Sequence, residues 1–275
     1  MQRGEHTRCP LFHHSVVAEV INFGRLDVTW LLVTLIVLLA IELAVRVYYV
    51  RIVLRVFETK PPFGVPLFHP DPNAESIEFT TSGGLTLRGS LHRRPERTAK
   101  GLILFCPETD GSHWSAISYC HALIEDGFDV LSFDFRGQGE SDPLPGYIPN
   151  HWPTMYEVED VRSAIDYISH RDDLQGLPLG LMGVSRGSTM ALIAAAECPS
   201  VRAVCCEGAY STDLLMLYFI LHWSRIYVPT WLRVLIPMWH YRLTMVMVRW
   251  TSRFLSQRPY VVLERWLPRL KDRPV

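Results

Sequence analysis

Ser185 carries the clearest chemical promise in this chain. It stands in Gly183-Val184-Ser185-Arg186-Gly187, a G-x-S-x-G run. Leu177-Pro178-Leu179-Gly180-Leu181-Met182 before it is apolar and of strand length, and Ser188 to Glu197 after it is rich in helix formers. A strand, a sharp turn and a helix in that order make the pattern a nucleophile elbow. Glycines flanking the serine remove the Cβ atoms that would keep strand and helix apart, and the turn strains the serine backbone. The chemistry is attack of a hydroxyl on a carbonyl carbon. Free N–H groups at the helix start then face the oxyanion that forms. The same five residues also fit a plain Gly-rich loop or a phosphate cradle, and the strand before and helix after select the elbow.

The elements that must position Ser185 are readable on both sides of it. Ser76–Thr81 and Leu85–His92 alternate apolar and polar residues around Ser82-Gly83-Gly84, which predicts a hairpin. Gly101–Cys106 reads as a buried strand, His113–Asp126 as a helix stopped by Gly127, and Phe128–Phe135 as the next strand. Thr154–Arg171 places Val158, Val161, Ile165 and Ile168 on one helical stripe. A further strand follows at Val201–Glu207. Strands alternating with helices after an opening hairpin predict a mostly parallel sheet covered on both faces, an α/β fold.

Composition sets outer bounds. The chain has 275 residues, 48% apolar and 20% charged, with a formal net charge of -1. That suffices for one large core with an appendage. The balance lacks the basic excess expected of a nucleic-acid binder. Six cysteines show no metal-ligand spacing, and Cys106, Cys205 and Cys206 fall in apparent strands as small core residues.

The appendage is N-terminal. Residues 1–27 are polar and mixed, with His6, His13 and His14 reading as part of a solvated tail. Val28–Val45 is then apolar except for Glu42, roughly 18 residues or ~27 Å of helix, close to a bilayer core. Glu42 lies four residues before Arg46, where the two can meet on one face near the interface. A mixed-charge leader and the lack of a small-x-small site after the run favour a membrane anchor over a cleaved signal. Transmembrane helix is therefore expected over 28–50 and a Pro-rich linker over 51–74, with Pro61, Pro62, Pro66, Pro70 and Pro72. Arg46, Arg51, Arg55 and Lys60 follow the span, against Arg3, Arg8 and Arg25 before it. That bias places the following domain on the cytoplasmic side.

Three landmarks together resemble the α/β-hydrolase superfamily: strand Gly101–Cys106 with its loop, the stretch Asp134-Phe135-Arg136-Gly137-Gln138-Gly139-Glu140-Ser141, and the elbow at Ser185. The middle stretch is similar to the superfamily's D-x-R-G-x-G-x-S loop, a structural turn rather than a set of catalytic groups. The resemblance is to serine esterase, lysophospholipase and peptidase-like members. It implies Ser185 as nucleophile and the Arg186 N–H as one oxyanion donor. The second donor comes from the loop after Cys106, at Glu108 or Thr109, where Cys106-Pro107 replaces the His-Gly of many members. No cofactor or metal is implied.

The superfamily takes its triad acid from the end of strand seven and its histidine from after strand eight. This chain ends at Asp272-Arg273-Pro274-Val275, which resembles the start of the seventh strand, so the last two strands are expected to be absent. Some members carry the acid after strand six, which makes Glu207 the candidate acid and Asp213 the second choice. A strand-end carboxylate facing water is the competing reading of Glu207. His222 and His240 are the only downstream histidines. On this reading 75–212 is the core, 213–257 a helical cap, and 258–275 a terminal helix and strand start, leaving Val201–Cys206 as an apolar sheet edge.

Between Leu214 and Leu263 there is no Asp or Glu, while tryptophans and arginines stand among Leu, Ile, Val and Met, divided by Pro229 and Pro237. Such a cap suits acyl chains and an anionic lipid surface. The expected function is a membrane-anchored serine hydrolase on a small-molecule or lipid ester, through an acyl-Ser185 intermediate. A catalytically incomplete binding module and an acyltransferase are the alternatives.

Overall fold

The computed structural model describes residues 14–59, 64–65, 68–94, 98–271 and 274–275. The chain divides into two units, 1–51 and 52–275. His6, His13, Lys60, Pro61, Pro62, Pro66, Asp272 and Arg273 lie outside the described residues.

Among the described residues the first unit is helical: α1 runs His14–Glu58, its residues from 52 onward counted with the second unit. Its stretch Val28–Glu58 has a mean hydropathy of 2.6 and is long and apolar enough to cross a membrane. Its most apolar window buries none of its residues. Glu42 and Arg46 form the expected i,i+4 ion pair, with Arg46 Nε donating to Glu42 Oε2 at 3.2 Å. The helix is longer than the 28–50 expected. It begins within the polar segment 1–27 and consumes the first turns of the 51–74 linker, because nothing before Pro61 denies it a backbone N–H.

In the second unit, β1 (Glu75–Thr80) and β2 (Thr86–His92) form the antiparallel hairpin, with Phe79 opposite Leu87. β3 (Leu102–Cys106), β4 (Asp129–Phe133), β5 (Leu179–Val184) and β6 (Val201–Glu207) complete one six-stranded sheet. The order is β1-β2-β4-β3-β5-β6. The pairs β3–β4, β3–β5 and β5–β6 are parallel, and β2–β4 is antiparallel. The mostly parallel α/β-hydrolase-type sheet is thus present over six strands. A 3-10 turn (His113–Ser115) leads into α2 (Ala116–Asp126), followed by α3 (Met155–His170) and α4 (Arg186–Glu197). The predicted stripe on α3 is the buried one: Val158, Val161, Ile165 and Ile168 pack with Leu104, Phe133, Leu181, Met190 and Ala194.

β4 stops at Phe133 rather than Phe135, because Asp134 leaves the ladder to organise the next loop. Its carboxylate accepts from His113 N (2.7 Å), Glu140 N (2.8 Å) and His113 Nδ1 (3.0 Å). Arg136 two residues on bonds the buried Asp160 through Nε at 2.9 Å, and Glu159 as well. Both charges of the D-x-R-G stretch are spent on structure.

β6 is the sheet's edge, with Cys205 and Glu207 exposed. Cys106 is buried as expected, but Cys205 is exposed on the edge strand and is not a core residue. The edge is not bare along its length. Val204 N donates to Pro274 O at 3.1 Å. The cap is α5 (Thr212–Tyr227), α6 (Thr230–Leu235) and α7 (Met238–Leu255), broken at the two prolines. In place of a terminal helix, the segment after α7 forms two 3-10 turns, Leu263–Arg265 and Leu267–Leu270. Glu264 ties them to the cap's start by accepting from Thr212 Oγ1 (2.9 Å) and Asp213 N (2.8 Å).

Candidate active site

Ser185 sits between β5 and α4 with φ 52° and ψ -117°. An L-residue held at such angles stores about 1–3 kcal/mol of strain, and surrounding contacts must hold it there. Three do. Ser185 N donates to Glu207 O at 2.7 Å. Ser188 Oγ donates to Gly183 O (2.6 Å) and Glu207 O (2.8 Å). The flanking glycines are required by contact distance. A Cβ on Gly183 would lie 2.5 Å from Gly187 O, and one on Gly187 would lie 2.1 Å from Cys106 O and 2.5 Å from Pro107 O. The loop after β3 is therefore pressed against the first turn of α4, beside the serine.

That contact brings together the two places expected to supply oxyanion donors, the start of α4 and the loop after β3. Arg186 is the first residue of α4, and no side chain caps this helix end, so the dipole's positive end stays open toward the turn. Glu108 follows Pro107. It is 8% exposed, its carbonyl accepts from Gly111 N at 3.1 Å, and its carboxyl lies 3.4 Å from Ser115 Oγ. Burial pushes the Glu108 carboxyl up, with the Glu207 charge adding to it, against the pull of its own backbone and Ser115. Thr109 is half-buried in the same loop. Ser185, Glu207 and Glu108 thus gather at the carboxyl ends of β5, β6 and β3.

The Arg186 side chain has a separate task. It is fully buried and donates to Asn150 O (2.7 Å), Gln138 Oε1 (2.8 Å) and Glu157 Oε1 (3.3 Å). Its guanidinium lies 5.5 Å from the centre of the Phe135 ring. Glu157 is also fully buried and belongs to the Thr154-x-x-Glu157 capping box of α3, accepting from Thr154 N at 3.0 Å. The expected helix start at Thr154 rests on the apolar stripe of α3 and not on this box. The link from Glu157 to the residue after Ser185 joins positions 29 apart, and no local pattern announces it.

Among the described residues no histidine is hydrogen-bonded to Ser185 Oγ, and Ser185 itself is half-buried. Glu207 supports the elbow through its main-chain carbonyl, while its carboxylate is exposed. Asp213 is engaged by Arg249. His222 is exposed on α5 and stacks on Tyr218 at 6.0 Å between ring centres. His240 stands in α7 between Trp239 and Tyr241.

The sequence reading missed His151, which precedes Ser185 and so falls outside the order in which the superfamily's triad is sought. Its Nδ1 is buried without a hydrogen-bond partner among the described residues, and Tyr210 Oη donates to its carbonyl at 2.7 Å. Burial, then the nearby Arg186 charge, lower its pKa to about 4. A free histidine titrates near 6.5, so between the two values the unfolded chain binds the extra proton more readily than the folded one. Stability should be full above about pH 6.5 and should fall toward pH 4. Melting temperature against pH checks this, and His151→Asn should flatten the slope over that interval.

Comparison with known proteins agrees with the architecture. A family model for serine aminopeptidase, S33, matches residues 97–262. The uncharacterized protein YfhR of Escherichia coli is 30% identical over 155 residues, covering 53% of this chain and 51% of that protein. Polyketide transferase claH of Penicillium crustosum is 30% identical over 129 residues, covering 46% and 41%. The chain thus spans about half the length of the curated relatives it matches. Among solved structures, an esterase of Pyrococcus furiosus is 16% identical, with a TM-score of 0.48 over 76% of this chain and 70% of that one. A hypothetical protein of Pseudomonas aeruginosa is 22% identical, with a TM-score of 0.48 over 69% and 59%. With more than half of its length matched, this chain belongs to the serine aminopeptidase S33 family of the α/β-hydrolase superfamily.

Proposed function

We propose that the protein is a membrane-anchored serine hydrolase that attacks an ester or lipid-like acyl carbonyl with Ser185. The observation that carries the reading is the backbone of Ser185, at φ 52° and ψ -117° between a packed strand and an uncapped helix start. Ser185 Oγ would bond to the carbonyl carbon as its proton passes to solvent water. Collapse of the tetrahedral species would break the ester C–O bond, the departing alkoxide taking a proton back from water to leave as the alcohol and an acyl-serine remaining. Water then restores the serine, and another acceptor would make the same intermediate an acyl transfer. The Arg186 N–H and an amide of the Glu108–Thr109 loop would stabilise the oxyanion. Helix α1 would hold the second unit at the membrane, on the cytoplasmic side by the arginine bias after the span.

One experiment addresses both halves. Membranes carrying the full chain should keep it through a carbonate wash and should turn over an aryl ester slowly. Among the described residues no base is bonded to Ser185, so the acceleration expected from oxyanion stabilisation and binding is roughly 10³–10⁴ over water, and that residual acceleration does not need the hydroxyl. What Ser185→Ala should abolish is the acyl-protein adduct, read by mass after quenching during turnover. Release of the chain by carbonate would end the anchor reading, and an acyl adduct that persists in Ser185→Ala would end the nucleophile assignment. The rival reading is a binding module on a hydrolase fold, for which no acyl adduct on Ser185 is expected; that no histidine among the described residues is hydrogen-bonded to Ser185 is the observation it rests on.

A further inference from the structure

Helix α7 is apolar on two opposite faces. Tyr241, Thr244, Met245, Val248 and Ser252 are buried. The other side presents Trp239, Leu243, Val246, Trp250 and Phe254, all exposed, with Trp250 at 65% and Trp239 at 62%. These recur every three or four residues, so they form one stripe and not scattered surface positions. Arg242 and Arg253 are exposed along it. The neighbouring α6 buries no residue and exposes Trp231, Val234 and Leu235. A helix of an ordinary soluble cap turns a polar face to water, and a stripe of this kind marks an interaction surface.

We propose that this stripe of α6 and α7 lies on an anionic lipid surface, as a second membrane contact of the second unit. Three observations choose the occupant. Every formal charge from Leu214 to Leu263 is an arginine, so the surface complements negative headgroups and repels a basic partner. Exposed tryptophans beside arginines are the composition that settles at the headgroup–acyl boundary. The stripe also borders a pocket of about 270 Å³, lined by Met155, Val246, Trp250 and Val262 with Arg249 and Arg253 among its walls. An acyl chain fits its apolar side, and a phosphate or carboxylate its basic side. The proposal rests on the anchor reading, since a chain held at the bilayer by α1 meets lipid at high effective concentration.

The test uses the full chain with Trp30→Phe, reconstituted into phosphatidylcholine vesicles with or without phosphatidylserine, the acyl chains brominated to quench nearby tryptophan. Flotation with either vesicle reports α1, while quenching reports the cap. Quenching should be stronger with phosphatidylserine, weaken as salt rises, and disappear when Trp231, Trp239 and Trp250 are all changed to Phe. Each arginine on an anionic surface is worth about a fivefold change in attachment. Arg242→Gln with Arg253→Gln should therefore return the signal to the phosphatidylcholine level. A floating chain whose quenching ignores lipid charge, or survives the triple Phe change, would overturn the proposal while leaving the anchor standing. So would these tryptophans becoming shielded only as the protein-to-lipid ratio rises, which would assign the stripe to a second copy. A chain that floats with neither vesicle would overturn both.

Discussion

Alanine at position 187 should cost about 3 kcal/mol and remove whatever reactivity Ser185 has. The atoms that a Gly187 Cβ would meet are Cys106 O at 2.1 Å and Pro107 O at 2.5 Å, both main-chain. A flexible side chain could swing away, but here the start of α4 and the loop after β3 must separate. Separation dismantles the geometry that would serve the oxyanion. For a domain of this size the loss corresponds to a melting shift of roughly 6–12 °C. Gly64→Ala is the control, since nothing lies within 4 Å of a Cβ there. A shift at Gly187 no larger than the control's would show that the contact yields at little cost.

Glu157→Ala should destabilise by roughly 3–5 kcal/mol for a different reason. Glu157 and Arg186 are both fully buried, and Glu157 also accepts from Thr154 Oγ1 at 2.6 Å and from Tyr147. Removing the carboxylate leaves the guanidinium without its counter-charge in a site water does not reach. Thr154 loses its capping partner at the same time, and Gln138 and Asn150 O, which remain, are neutral. Glu157→Gln keeps the shape and an acceptor oxygen, so its cost should be clearly smaller. Chemical denaturation in detergent reads the difference, with a midpoint shift of roughly 1 M urea or more for the alanine variant. Equal, small shifts in both variants would mean that the charge pair contributes little to holding α3 against the elbow.

Much of the architecture was legible because local chemistry and periodicity agreed. The hairpin, the stripe of α3, the elbow with its two glycines, and the breaks at Pro229 and Pro237 all follow from residues close together in the chain. Other features depended on distant partners. The Arg186–Glu157–Gln138 cluster brings α4, α3 and the D-x-R-G loop together, and no spacing rule announces it. Helix α1 ran past its apolar stretch because charged residues are good helix formers and only proline forbids continuation. Cys205 read as core because an apolar strand shows which residues could be buried, not whether a neighbour arrives to bury them. For the candidate site, the sequence pointed to Ser185 and to the loop at Glu108 and Thr109. It could not reveal that Glu207 meets Ser185 through its carbonyl, since main-chain contacts leave no mark in residue type.

The measurement that bears most directly on Ser185 as nucleophile is the mass of the protein after reaction with a fluorophosphonate. This reagent needs an activated or well-positioned hydroxyl and no turnover, so a slow enzyme still reports. The account predicts one adduct, located by peptide mass on the segment containing Ser185, and none in Ser185→Ala. Adduct formation should also fall sharply in Gly187→Ala at a temperature where that variant remains folded. An adduct of equal yield in wild type and Ser185→Ala, or one mapped to another residue, would contradict it.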